Sequence, residues 1–380
     1  MGSNPQVLTL SVMPAIFFLE SSNNLGGQEY QILTQISELH KRSWQPYLFC
    51  RKNSKISQFA AHSEIRTIHL PLRNALDIKS IFSILRHLIK INPVAIVLHS
   101  GHDANIGAIS AKIYRLLFKK KVLIIRSRTY QPGMPNSFSY NNLFDVTFTP
   151  SEYLREKLLK NKSIVPSRIR VLYPGLDFQR IHDSAADNLP EYVQAWINGK
   201  EGPFIVHGAM LRGEKGHLQF LKVFSHLLKK WPRLQYIIAG DGPERQRLEH
   251  EVSQLKIDQN VFFAGIVNPI VPLLKIADLA ILPSHHEPLG MFQIESQYLQ
   301  VPTLASRVGG IPETMEHHKT GLLVEDGVSN WMDALDWALA NPLKMNNYGN
   351  SGKEFVMEKF SIKTNIDFLI HFIENYNHSN

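Results

Sequence analysis

The chain has one cysteine, Cys50, in 380 residues. That excludes an internal disulfide framework and any metal site built on several thiolates, and it fits a reducing cytoplasm. It has no uninterrupted apolar run of membrane-spanning length. The nearest approach, Val7–Leu19, is broken by Thr9, Ser11 and Pro14 and ends at Glu20. No basic segment precedes it, so it reads as a buried first strand rather than a signal peptide. There is no low-complexity tract, no repeat at solenoid period and no Asp-x-Asp metal motif. Acidic residues are scarce in one half. Residues 1–180 hold 24 Lys and Arg against 10 Asp and Glu, whereas residues 181–380 hold 17 against 23. A basic first half and an acidic second half point to different partners for the two, with nucleic acid, an anionic membrane surface and a negatively charged acceptor as candidates for the basic one.

What is present is a soluble-protein composition, 44% hydrophobic and 19% charged, in a chain long enough for two domains. Short apolar runs at Ala15–Leu19, Pro46–Phe49, Val94–Leu98 and Val122–Ile125 read as buried strands. Between them Ile78, Ile81, Phe82, Leu85, Leu88 and Ile89 follow helical spacing. After a break near 183–203 the pattern restarts, with strands expected at Phe204–His207, Gln235–Ala239, Val261–Phe263, Leu279–Leu282 and Thr303–Ala305. Strand–helix alternation of this kind implies two doubly wound α/β domains, with ligand in the cleft between them at the carboxyl ends of the strands.

The loops after the second set of strands carry the chemistry. In His285-His286-Glu287-Pro288-Leu289-Gly290-Met291-Phe292-Gln293-Ile294-Glu295, two carboxylates eight positions apart flank a glycine turn that opens a helix. They can hold two hydroxyl-bearing parts of one ligand, with an anion on the N–H groups between them. A sugar nucleotide has that layout. In Gly208-Ala209-Met210-Leu211-Arg212-Gly213-Glu214-Lys215-Gly216, Arg212 can fork onto phosphate and Lys215 adds a point charge. Gly240-Asp241-Gly242-Pro243 makes a tight turn before a helix, Ala264-Gly265-Ile266 can pass beside a flat base, and Gly309-Gly310-Ile311-Pro312-Glu313 marks another turn.

These five ordered signals resemble the nucleotide-binding domain of the retaining family 4 glycosyltransferases, which have the GT-B fold: two Rossmann-like domains facing a central cleft. Leu25-Gly26-Gly27-Gln28-Glu29 resembles that family's Gly-Gly-x-Glu loop, and Tyr173-Pro174-Gly175-Leu176-Asp177 its hinge signature. The resemblance implies an acceptor domain over residues 1–182, a nucleotide-sugar domain over 183–360, and a C-terminal helix over 361–380 that crosses back to the first domain. It implies transfer of a sugar from a UDP-, GDP- or ADP-sugar to a hydroxyl of a glycan or lipid-linked acceptor, without a metal and with retained configuration. A bacterial envelope glycan, lipopolysaccharide or capsule, is the leading acceptor class. Glu287, Arg212 and Lys215 would then be the catalytic group. Gly27, Gly240, Gly242, Ile266, Leu289, Gly290, Met291 and Glu295 would hold the donor, with Glu295 on the ribose and Gly27 against the phosphates.

Two departures stand out. Thr129, in Arg126-Ser127-Arg128-Thr129-Tyr130, occupies the place of a histidine that many relatives carry. Ala209, rather than arginine, follows Gly208 directly, and Arg212 takes over. His99, His102, Arg126 and Arg128 are the acceptor-side candidates. Lys112, Arg115, Lys119, Lys120 and Lys121 make a basic helix end for a membrane or polyanion, equally readable as a solvated face. The expected location is cytoplasmic, peripheral at the inner face of the cytoplasmic membrane. A phosphate loop set this complete argues against nucleic-acid binding. A sugar-nucleotide epimerase or hydrolase of the same fold, or a non-catalytic basic binding protein, are the alternative readings.

Overall fold

A computed structural model describes residues 13–74, 77–99, 101–130 and 133–379, without the side chains of residues 102, 103 and 377–379. The part of the first apolar run before Met13 lies outside these residues, as does the side chain of His102.

The chain divides into two compact units. One runs through Phe148 and adds Asn161–Arg170 and the segment from Ile366; the other comprises Thr149–Lys160 and Val171–Asn365. The first sheet contains β1 (Ala15–Glu20), β2 (Gln45–Cys50), β3 (Arg66–His69), β4 (Ala95–Leu98), β5 (Leu123–Ser127), β6 (Val146–Thr149) and β7 (Ile169–Val171), in the order β3-β2-β1-β4-β5-β6-β7. The second contains β8 (Phe204–Gly208), β9 (Gln235–Ala239), β10 (Val261–Gly265), β11 (Leu279–Leu282), β12 (Thr303–Ser306) and β13 (Leu322–Val324), in the order β10-β9-β8-β11-β12-β13. Strands β1 to β6, and all six of the second sheet, pair in parallel. In each sheet the first strand lies between the second and the fourth of its set. The order therefore reverses between β1 and β4 and between β8 and β11, which opens a crevice at those carboxyl ends.

Both faces of the second sheet are dry, and the strands show why. Ile205, Tyr236, Ile238, Ile281 and Leu304 enter one apolar cluster, while their neighbours Val206, Ile237, Ala280, Leu282 and Ala305 enter the other. The two-residue period of a strand splits a continuous apolar run between two helical layers. In the first unit Phe17, Leu19, Phe49, Ile96, Leu98 and Ile124 form one such layer with Ile84 and Leu88 of the helix Ile78–Ile91. That helix starts on Asp77, whose carboxylate accepts from Ser80 N at 3.2 Å, and stops on left-handed Asn92.

The strand-poor stretch near 183–203 is not featureless. The helix Phe178–Ser184 runs into its start and the helix Glu191–Ile197 lies within it, with Val193 of the second fully buried against the sheet. The last helix, Ile362–Ser379, begins in the second unit. Farther along, Phe368 and Phe372 lie edge-on to Phe148 in the first.

Candidate active site

The site of the second unit is assembled from four strand-to-helix loops that hold one another by backbone. After β8 the chain runs through Ala209–Arg212 into a single 3₁₀ turn, Gly213–Lys215, and then the helix His217–Leu227. Gly216 between them is left-handed (φ +75°), and a Cβ there would sit 1.7 Å from the carbonyl oxygen of Pro283 at the end of β11. The turn after β9 is clasped in the same way. A Cβ on Gly240 would meet the Ala209 oxygen at 1.9 Å, and one on Gly242 the Leu211 oxygen at 2.5 Å. Leu211 N donates to Asp241 O at 3.0 Å across the same seam. The two glycines of Gly240–Pro243 are thus required by contact with the Ala209–Leu211 backbone.

The Gly309–Glu313 turn has a parallel task. Gly310 N donates to Glu287 O at 3.0 Å, and a Cβ on left-handed Gly309 would lie 1.9 Å from that oxygen. Glu313 accepts from Glu152 N, at 2.8 Å, and Tyr153 N, at 2.9 Å, at the start of the helix Glu152–Leu159, and from the Tyr173 hydroxyl at 2.8 Å. Ser151 of the same segment donates to Pro288 O at 2.6 Å. The backbone on either side of Pro288 is therefore fixed from two directions.

On this frame Lys215 and Glu287 meet. Lys215 Nζ lies 2.5 Å from Glu287 Oε2, with the side chains only 20% and 11% exposed. A charge pair so shielded from water is strong and well placed. Beyond Glu287 the chain turns at left-handed Gly290 (φ +88°) into the helix Phe292–Tyr298. Buried Gln293 closes that turn, donating to Leu289 O at 2.8 Å and to Thr314 Oγ1 at 3.1 Å. The N–H groups of Leu289, Gly290 and Met291 make no hydrogen bond among the described residues, so they are open donors for an anion. Glu295, on the first turn of the helix, is half-buried. Burial raises its carboxyl pKa to about 7, against the opposing charge of Arg180.

Arg212 stands apart from the pair. It is 53% exposed, 3.9 Å from Glu214, and lines a neighbouring cleft of about 440 Å³ with Lys222, Arg247, His285 and Asp326. Ile266 follows left-handed Gly265 and is 76% exposed, an apolar surface at the end of β10. Beneath the loop lies a feature that the charged residues hid from the sequence reading. His207, the last core residue of β8, and His217, the first of the following helix, stack with ring centroids 4.0 Å apart. His207 Nδ1 bonds the Tyr236 hydroxyl at 2.9 Å. Burial and the Lys215 charge hold both rings neutral, His217 down to about 4. Their signal was a histidine inside an apolar strand facing the one after Lys215-Gly216.

In the first unit, the loop after β1 gives Gly26 as the N-cap of the helix Gly27–Lys41, with Gly26 N donating to Glu29 Oε2 at 2.7 Å. A Cβ on Gly27 would meet no atom within 4 Å. Gln28, in the first turn of that helix, bridges the end of β1 and the segment after β5: its amide donates to buried Glu20 at 2.6 Å and accepts from the Thr129 hydroxyl at 3.0 Å. Thr129 is therefore engaged structurally. His99 is 4% exposed, bonded through Nδ1 to Leu19 O at 3.1 Å and stacked on Phe18, and burial lowers its pKa to about 4. Arg126 is 8% exposed beneath the rings of Tyr140 and Phe144, at 4.8 and 4.9 Å. Arg128 is half-buried, its backbone N–H on Phe148 O at 2.8 Å. The candidates on β4 and β5 thus lie largely inside the unit. No group of three or more His, Cys, Asp or Glu side chains with metal-holding geometry occurs among the described residues.

Two family models match the chain, one described as glycosyltransferase family 4 over residues 25–180 and one as glycosyl transferases group 1 over 190–355. The N-acetyl-α-D-glucosaminyl L-malate synthase of Bacillus anthracis is 34% identical over 229 residues, 58% of this chain and 59% of that protein. The D-inositol 3-phosphate glycosyltransferase of Corynebacterium jeikeium is 29% identical over 204 residues, 50% of this chain and 48% of that one. The chain thus spans about half the length of these curated relatives. In structure, a glycosyltransferase from Rickettsia africae superposes with a TM-score of 0.82 at 18% identity, covering 96% of this chain and 98% of that one. HepE of Anabaena, solved with UDP and glucose, superposes at 0.77 and 16%, covering 94% and 99%. With two family models that between them take in most of the chain, and a fold shared along nearly all of it, the protein belongs to the family 4 glycosyltransferases and has the GT-B fold.

Proposed function

We propose that the chain transfers a sugar from a nucleoside-diphosphate sugar to an acceptor hydroxyl, with retention of configuration. The observation that carries this reading is the shielded Lys215–Glu287 pair beside the open N–H groups of Gly290 and Met291. The barrier to glycosyl transfer is charge building on the departing diphosphate. Lys215, those N–H groups and Arg212 supply fixed positive potential where it builds. Glu287 accepts from hydroxyls of the transferred sugar and Glu295 from the ribose, while exposed Ile266 offers a face to the base. The open space at Gly27 leaves its backbone free to approach the phosphates. HepE, solved with UDP and glucose, is consistent with a uridine donor. A thermal-shift screen with UDP-, GDP- and ADP-sugars tests the reading: the true donor raises the midpoint, and no shift with any of the three refutes it.

Glu295 makes donor binding pH-dependent. Ribose hydroxyls donate to the ionised carboxylate, yet burial holds its pKa at about 7 in the free chain. Donor affinity should therefore rise by roughly tenfold between pH 6 and 8 and flatten in Glu295→Gln. Stability carries the opposite sign. The folded chain binds a proton that the unfolded chain releases near 4.5, so this contribution is lost as pH rises from there to about 7. Titration calorimetry with the donor from about pH 6 to 8 checks the first, and melting curves from about pH 4.5 to 7 check the second.

The acceptor fits a membrane-bound glycan of the bacterial envelope. The helices Ile78–Ile91 and Gly101–Phe118 expose Phe82 (69%), Leu116 (79%) and Leu117 (66%) beside Lys90, Lys112 and Lys119–Lys121. Exposed apolar side chains on helices that also carry exposed lysines suit an anionic interface, and no helix among the described residues is long and apolar enough to cross a membrane. Co-sedimentation with phosphatidylglycerol vesicles, lost in Leu116→Ser/Leu117→Ser and absent with phosphatidylcholine, is the expected result.

A further inference from the structure

At the carboxyl ends of β1, β2 and β3 the first unit has an open pocket of about 590 Å³, lined by Asn23, Arg51, Lys52, His69, Leu70, Pro71 and Arg73. Three side chains charged at any physiological pH meet here, with no carboxylate in the lining. Arg51, Lys52 and Arg73 form no ion pair among the described residues. Asp77 lies close by: it accepts from Arg73 N at 3.2 Å, and its oxygens also hold Ser80 N and Oγ. Against the effect of burial, these bonds and the Arg73 charge lower its pKa.

The floor is built rather than incidental. Arg51 Nη2 donates to Leu72 O at 2.6 Å, and its buried Nε makes no hydrogen bond. Leu72 is fully buried with φ +46°, a conformation that a γ-branched residue adopts only when its surroundings force it. Leu72 N is held in turn by Ser80 Oγ at 3.1 Å, and His69 Nε2 pairs with Ser57 Oγ at 2.8 Å. The guanidinium is thus locked in place at the carboxyl end of a parallel sheet, and like charges gathered around an opening whose lining holds no carboxylate are relieved by an anion.

We propose that this pocket binds a phosphate group of the acceptor, so that the acceptor is a phosphorylated compound. This rests on the transferase reading above and adds the acceptor's chemical class. Arg51 offers a fixed positive charge from the floor, while Lys52 and Arg73 close over the phosphate oxygens from the exposed rim.

The test titrates glycerol 3-phosphate onto the full chain by calorimetry at low salt. Because Arg51 supports Leu72, the variants are Lys52→Gln and Arg73→Gln, both on exposed residues. The double variant should bind at least tenfold more weakly, while Lys215→Ala, on the donor side, binds as wild type does. Dihexanoyl phosphatidic acid is run in parallel. Tenfold tighter binding of that lipid assigns the phosphate to a lipid headgroup, and equal binding assigns it to a soluble phosphate. No binding, or equal affinity in wild type and the double variant, overturns the pocket. The sugar-nucleotide thermal shift of the same double variant separates the two readings. If it persists while glycerol 3-phosphate binding shows no loss, the pocket fails and the transferase reading stands. If no variant shows it, the transferase reading fails.

Discussion

Glu287→Ala should lower kcat/KM for transfer by on the order of 10³-fold or more while the chain stays folded. Among the described residues the carboxylate makes one hydrogen bond, accepting from Lys215 Nζ. Its backbone is held independently, by Gly310 N and by the packing of Gly309, so truncation removes a group without moving the loop. What it leaves behind is a lysine still 20% exposed. Water can reach that ammonium, so the stability loss should stay near 1–2 kcal/mol, below that of breaking a fully buried pair. Glu287→Gln keeps a partner for Lys215 and should restore stability without restoring transfer. Product analysis beside a melting curve separates the two effects. Wild-type turnover in either variant would remove Glu287 from the mechanism.

The sequence was most legible where burial is two-sided. The runs at Ala15, Val94, Phe204, Gln235 and Leu279 are apolar because both faces of a parallel strand are covered, and each is a strand in the structure. Four strands were missed. The edge strand Arg66–His69 is partly or fully exposed along its length, Ile169–Val171 and Leu322–Val324 have only three residues each, and Val146–Thr149 buries two threonines. None gives a contrast in hydrophobicity long enough to register. The site followed the same logic. Spacing drew attention to Glu287, Lys215 and the glycine turns, but it could not say that Gly240 and Gly242 face the Ala209–Leu211 backbone, or that Glu313 caps a helix some 160 positions earlier. His99 and Arg126 looked available because they end strands. Their burial depends on Phe18, Tyr140 and Phe144, and nothing local announces those contacts.

The glycines of the site differ in what they contribute, and Gly309→Ala should show this most strongly. Gly309 and Gly199 are both left-handed, at φ +57° and +81°, so alanine at either costs about 1 kcal/mol in backbone conformation. They part company in space. A Cβ on Gly199 meets nothing within 4 Å, whereas one on Gly309 lies 1.9 Å from the Glu287 oxygen and 3.0 Å from its carbonyl carbon. No rotamer relieves a contact between Cβ and backbone, so Glu287 itself must shift, and the total cost should reach on the order of 3 kcal/mol. Gly199→Ala should therefore lower the melting midpoint by a few degrees and leave transfer intact. Gly309→Ala should lower it further and cost transfer as well, because the displaced carbonyl belongs to the residue whose carboxylate meets Lys215. Equal midpoints for the two variants, with normal transfer in both, would mean that the loop yields freely around position 309. Glu287 would then be positioned by Lys215 alone, and the Gly309–Gly310 turn would have no part in presenting it.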